Sequence, residues 1–161
     1  GGGGGGGRGI ALEPGVESVG GWGGRGAREV WGGRVAAVAA GVAASDGEAG
    51  FAEDAASPVG SKVAMGSAVR VKMRAIDSYC AEVGIVPGMI KMDVEGYEGE
   101  ALRGARGVIE KFGPKLQICV YHKAGDLWEI ARWLKGVRAG YRFYLGGHAG
   151  GDWSDVVLYA R

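Results

Sequence analysis

The stretch Met89-Ile-Lys-Met-Asp-Val-Glu-Gly-Tyr-Glu98 decides how the chain folds. Met89 to Val94 is an apolar run with one lysine, long enough for a buried strand and too short for a helix. Two carboxylates, Asp93 and Glu95, stand at its end. Gly96 follows, and glycine can take the backbone conformations that reverse a chain. Ala101, Leu102, Ala105, Val108, Ile109 and Phe112 then recur at helical spacing until Gly113-Pro114 stops the pattern. Strand, acidic turn and helix make half of a βαβ unit. In open α/β sheets ligands sit outside the carboxyl ends of the strands, where Asp93 and Glu95 fall. The same two acids would also serve simply to start the helix, where the dipole favours negative charge.

Downstream, Leu116 to Tyr121 reads as another buried strand, ending at His122. Asp126 with Glu129 has the form of a capping box, and Leu127, Ile130, Ala131, Leu134 and Val137 mark one helix face as far as Gly140. Tyr141–Leu145 and Val156–Tyr159 are two closing strands, joined by the loop Gly146 to Asp155, a connection suited to an antiparallel pair.

Upstream, Gly9 to Glu13 reads as a short buried strand, with Pro14 barring its continuation. In doubly wound nucleotide-binding folds an acid at a strand end can hydrogen-bond ribose hydroxyls, and Glu13 stands at such an end; a solvated acid in a turn is the alternative. Gly15 to Gly33 is diluted by glycines that each cost about 1 kcal/mol in a helix interior, so at most a broken helix is expected there. Arg34 to Ala44 is a Val/Ala run fit for a parallel strand, turned by Ser45-Asp46-Gly47 so that Glu48–Glu53 pairs back as a hairpin arm. Ala55 to Ser67 reads as a loop, Val69 to Arg74 as a half-exposed strand, and Asp77 as the cap of a short helix to about Val83. Strands and helices alternate and the end is antiparallel, so the fold class is α/β.

The segments "IKMDVEGYEGEALRGA" and "PKLQICVYHKAGDLWEI", with "YRFYL" and "VVLYA" near the end, resemble the FkbM family of S-adenosylmethionine-dependent methyltransferases. The resemblance covers Val35 to Arg161 well and Arg8 to Arg34 loosely. It implies a Rossmann-like class I methyltransferase sheet, mostly parallel with an antiparallel C-terminal strand. It also implies a first strand and a glycine loop gripping the methionine end of the cofactor. The chain begins after that point, so a partial methyltransferase domain over residues 8–161 is expected, behind a low-complexity glycine tail at 1–7. Such a chain alone is expected to bind S-adenosylmethionine poorly. The resemblance places a Glu-Pro at the end of the second strand, where Glu13 stands, which makes Glu13 the ribose candidate. It sets Ser45 and Asp46 beside the adenine, although Asp46-Gly47 is first of all a turn signal.

The implied reaction is transfer of a methyl group from S-adenosylmethionine to a hydroxyl of a sugar or similar small metabolite. Histidine titrates near neutral pH, which suits His122 to act as a general base, with a neighbouring carboxylate orienting its ring. Asp93 would hold the acceptor hydroxyl or face the sulfonium, and Glu95 would share that role or cap the helix. An Asp, Glu and His together could also bind a divalent ion, but nothing in their spacing demands one. No G-x-S-x-G elbow supports a hydrolase. His148, beside Trp153 in the last loop, reads as an exposed loop histidine. The alternative function is a non-catalytic remnant serving as a binding module or inactive fragment.

The totals narrow the field further. The 161 residues suffice for one core, and the formal net charge of +1, with scattered Lys and Arg, leaves no nucleic-acid footprint. No apolar run reaches the roughly 20 residues of a membrane helix, and no signal-peptide pattern opens the chain. Cys80 and Cys119 lack metal-ligand spacing and read as reduced thiols of a cytoplasmic protein. The 35 glycines crowd towards the front, where Gly1–Gly7 matches G-x-G-x-x-G without the preceding strand that a phosphate loop needs.

Overall fold

A computed structural model describes residues 9–13, 35–52, 62–63, 69–147 and 155–161. The expectations for Gly15–Gly33, His148 and Trp153, and for most of Ala55–Ser67, lie outside the described residues. The chain divides into two compact units, Gly1–Gly41 with Gly47–Met73, and Val42–Asp46 with Arg74–Arg161.

In the first unit, β1 (Gly9–Glu13) pairs in parallel with β2 (Val35–Ala39), Glu13 opposite Ala39. The Val/Ala run does not continue as one strand. It breaks at Ala40 and resumes as the two-residue β3 (Gly41–Val42) in a different sheet. That sheet has the order β3-β6-β4-β5, with β4 at Gly47–Ala52, β5 at Lys62–Val63 and β6 at Val69–Arg74. The expected hairpin arm therefore does not pair back on the strand before it. β4 lies antiparallel between β6 and β5 instead. β3 is too short to anchor a six-residue arm, whereas β6 sets Lys72 opposite Glu48 and brings Arg70 to 3.4 Å from it. Opposite charges facing across strands favour that register. β6 alternates as read, with Val71 and Met73 buried and Arg70 and Lys72 exposed.

The second unit holds the core. Its sheet has the order β7-β8-β10-β9: β7 (Met89–Met92) is parallel to β8 (Lys115–Cys119), and β10 (Val156–Ala160) is antiparallel to both β8 and β9 (Phe143–Gly147). The antiparallel finish beside Leu116–Tyr121 agrees with the sequence. The strand pairing as a whole is mixed rather than mostly parallel: β1–β2 and β7–β8 are parallel, and the other described registers are antiparallel. Parallel pairing needs a long crossover, which the short connections around β9 and β4 do not supply. β9 starts two residues later than expected because Tyr141 is a core residue, its hydroxyl donating to the Pro114 carbonyl at 2.6 Å.

Ile90, Met92, Leu116, Ile118, Leu158 and Ala160 cover the sheet's contribution to one apolar cluster. β7 is nevertheless not buried on both faces. Met89 and Lys91 are exposed, because only the Ile90/Met92 face meets the core. The helical pattern after Glu98 forms two helices, α2 (Glu98–Arg103) and α3 (Arg106–Phe112), preceded in the chain by α1 (Ile76–Val83). Ala101, Leu102, Ala105, Val108 and Ile109 are buried as expected, while Phe112, the last helical residue, is exposed. α4 (Asp126–Val137) packs through Ile130 and Leu134. Its N-cap is Gly125, not Asp126. The Asp126 side chain is turned inward and buried, so no capping box forms.

Asp77 does not cap its own helix, whose N-cap is Ala75. Its carboxylate accepts from the Gly107 N–H at 2.7 Å and the Val108 N–H at 2.8 Å, filling the open donors at the start of α3. Asp77→Ala should cost about 1–2 kcal/mol, the range for losing an N-cap acceptor, measured by urea denaturation. A loss below a few tenths would show that water replaces the carboxylate. Among the described residues no helix is long and apolar enough to cross a membrane.

Candidate functional site

β7 ends in a turn whose backbone is unusual at two successive residues. Glu95 has φ +52° and Gly96 φ +88°, and the Tyr97 N–H closes on the Val94 carbonyl at 3.0 Å. Gly96 takes this conformation freely, but Glu95 does not, since a side chain in the left-handed region costs about 1 kcal/mol or more. Glu95→Gly should therefore raise stability by about 1 kcal/mol in thermal unfolding; a destabilised variant would mean that the Glu95 carboxylate itself holds the turn.

The turn delivers Glu98, the first residue of α2, into the interior. Glu98 is 0% exposed, and its Oε1 accepts from the Val94 N–H at 3.0 Å. The same oxygen lies 2.8 Å from His122 Nδ1. A carboxylate acts as an acceptor, so the proton between them belongs to Nδ1, and Nε2 of the neutral ring keeps a lone pair. His122 follows the parallel neighbour strand β8, and its side chain is only 9% exposed. Its Nε2 faces Asp93 Oδ1 at 3.7 Å and Glu95 Oε2 at 3.6 Å. Both separations are too long for hydrogen bonds, and among the described residues Nε2 is buried without a partner. Asp93 and Glu95 stand nearer solvent, at 39% and 31% side-chain exposure. The structure thus gathers Asp93, Glu95 and His122 at the carboxyl ends of adjacent parallel strands.

Neighbouring groups fix the site. The Tyr121 hydroxyl donates to Asp93 Oδ1 at 3.2 Å, and its ring lies against the imidazole with centroids 4.1 Å apart. Burial, followed by the Asp93 charge, raises the Tyr121 pKa, so the hydroxyl stays a donor. Lys91 Nζ is 3.9 Å from Asp93 Oδ2, and Lys123 Nζ donates to the Gly96 carbonyl, tying the two turns together. Cys119 and Cys80 are free buried thiols. Burial and then the Asp93 charge push Cys119 up to about 12, so it remains an inert thiol.

Asp126, at the start of α4, has its pKa raised by burial first and by the Glu98 charge second. An acid whose folded pKa lies above its unfolded one penalises the native state above that folded value, and the penalty disappears below the ordinary carboxylate range. Asp126→Asn is therefore expected to stabilise the protein at neutral pH and to lose that advantage as the pH falls through the raised value. Denaturation midpoints at neutral and acidic pH read this out. An advantage independent of pH would assign it to packing.

The other expected residues lie elsewhere. Glu13 is the last residue of β1. Ser45 is exposed in the turn before β4. Asp46 Oδ1 accepts from the Ala75 N–H at 2.7 Å, and its Oδ2 lies 3.5 Å from Arg74 Nε, so it fastens the Arg74–Ala75 backbone. Two site residues escaped the sequence reading, Glu98 and Tyr121. Glu98 carried a signal: with Ala101, Leu102 and Ala105 it continues the core-facing stripe of the helix, and an acid on an apolar stripe must find a buried partner.

The family model of the methyltransferase FkbM domain matches residues 27–143. The crystal structure of methyltransferase FkbM from Methylobacillus flagellatus KT superposes with a TM-score of 0.73 at 25% sequence identity. The match covers 96% of this chain but only 36% of that one. A comparison with curated proteins found no significant match. With most of its length matched by that family model, from before β2 into β9, the chain belongs to the methyltransferase FkbM domain family.

Proposed function

We propose that this domain takes part in S-adenosylmethionine-dependent O-methylation of a sugar or similar small hydroxylated metabolite, with His122 as the proton acceptor. Family membership supports the reaction class, and the bare, buried Nε2 of His122 is the observation that carries the site. In the reaction the acceptor oxygen attacks the methyl carbon. The new O–C bond forms as the C–S bond breaks, the sulfonium becomes a neutral thioether, and the hydroxyl proton passes to Nε2. The resulting imidazolium is stabilised by Glu98 on one side and by Asp93 and Glu95 on the other. Most of the acceleration comes from holding the two reactants in line, so the rim acts chiefly as a positioning device.

The remaining assignments follow from the family resemblance. Glu13 would hold the ribose, Ser45 and Asp46 would border the adenine, and Asp93 would face the sulfonium. The outer edge of β7 has no strand partner among the described residues. In a Rossmann-like class I sheet that edge pairs with the first strand, whose glycine loop grips the methionine end of the cofactor.

The test is transfer of a labelled methyl group from S-adenosylmethionine to a panel of sugars and other polyols by the natural full-length protein. Label on an acceptor oxygen is expected. Cofactor binding without transfer to any hydroxyl would favour a binding module instead.

A further inference from the structure

We propose that His122 Nε2, Asp93 and Glu95 also form a binding site for a divalent ion of the zinc class. Nε2 is a buried ligand atom with no partner among the described residues. Its distances of 3.7 Å to Asp93 and 3.6 Å to Glu95 exceed hydrogen-bond length. They lie close to the roughly 3.4 Å that separates two ligands bound tetrahedrally to zinc at about 2.1 Å each. Asp93, Glu98 and His122 present ligand atoms that all fall within 4.8 Å of one another. Glu95 lies outside that group and joins the site through its 3.6 Å approach to Nε2.

Glu98 supplies what such a site needs behind the imidazole. Metal-bound histidines usually give their other N–H to a carboxylate, which fixes the tautomer and raises ligand basicity, and Nδ1 faces Glu98 at 2.8 Å. The charge balance also favours a cation. Three carboxylates surround one imidazole, while Lys91 lies 3.9 Å from the far oxygen of Asp93 and the Lys123 ammonium is engaged by the Gly96 carbonyl. One imidazole with carboxylates suits zinc better than magnesium, which prefers oxygen ligands alone. The partial exposure of Asp93 and Glu95 gives the ion a way in. The ion and an acceptor hydroxyl would compete for one lone pair. Zinc would then inhibit methyl transfer, a consequence that rests on the proposed function; the binding itself does not.

The experiment is calorimetric titration of the 161-residue chain with zinc chloride alone, and with cobalt chloride followed by visible absorption. One ion per chain is expected, with binding abolished in His122→Ala and weakened by about 10–100-fold in Glu98→Gln. The surface variant Glu95→Gln, which leaves the buried pair intact, should bind about tenfold more weakly, and circular dichroism checks that each variant folds. No saturable uptake would overturn the proposal. Uptake unchanged in His122→Ala or in Glu95→Gln would overturn it as well, by placing the ion elsewhere, for example on the thiols. No S-adenosylmethionine or acceptor is present, so this result and the methyl-transfer result fail independently.

Discussion

Replacing His122 by alanine should lower kcat for methyl transfer by about 10²–10⁴-fold, the usual contribution of a positioned general base. In the proposed reaction affinity for S-adenosylmethionine should be preserved, since the imidazole would meet the acceptor and the developing proton rather than the cofactor. A fall in kcat with an unchanged cofactor constant is the signature of an interaction made only in the transition state. Loss of cofactor affinity with kcat retained would instead place His122 in the cofactor pocket. The expected size follows from the geometry. The ring is held on one side by a fully buried carboxylate and on the other lies against the tilted Tyr121 ring, so Nε2 is fixed in place.

Gly104→Ala should be among the most damaging single substitutions for stability, costing about 3 kcal/mol in urea denaturation, the upper end of the range for overpacking. A Cβ at Gly104 would overlap the Ala43 carbonyl oxygen and come within 3.1 Å of its carbon and 3.2 Å of Ala75 Cα. All three are backbone atoms, and none is free to give. The Ala43 N–H is bonded to the Arg74 carbonyl at 3.0 Å, and the Gly104 carbonyl accepts from the Asp77 N–H at 2.7 Å. Gly136 in α4 provides the control. A Cβ there meets nothing within 4 Å, so Gly136→Ala should stabilise by about 0.5–1 kcal/mol through helix propensity alone. A tolerated Gly104→Ala would mean that the junction between α2 and α3 can relax.

That junction shows what the sequence could and could not reveal. The apolar period from Ala101 to Ile109 runs through Gly104 unbroken, so a single helix was the natural reading. The break comes from contacts with Ala43 and Asp77, distant in the chain, and no local pattern encodes them. The same holds for Asp77, whose carboxylate serves a helix 30 residues onward. β10 and the face of α4 were legible because period-2 and period-3.6 burial depends on near neighbours. The sequence also foretold the meeting of Asp93, Glu95 and His122, because parallel strands bring their carboxyl ends to one rim. It did not show which group would orient His122. An acid in the first turn of a helix is ordinarily a solvated partner of the dipole, and only its place on the apolar stripe marks Glu98 as different.

Glu98 holds the His122 proton on Nδ1 and leaves Nε2 bare towards Asp93 and Glu95. Nitrogen-15 NMR of the labelled chain, with long-range correlations from the ring protons in mildly alkaline, metal-free solution, measures this directly. His122 is predicted to be the Nδ1–H tautomer with an unprotonated Nε2, and to lose that preference in Glu98→Ala. An Nε2–H tautomer would remove both proposed roles of His122, since a protonated Nε2 can neither accept a hydroxyl proton nor bind an ion; a tautomer indifferent to Glu98 would show that the buried carboxylate does not set it.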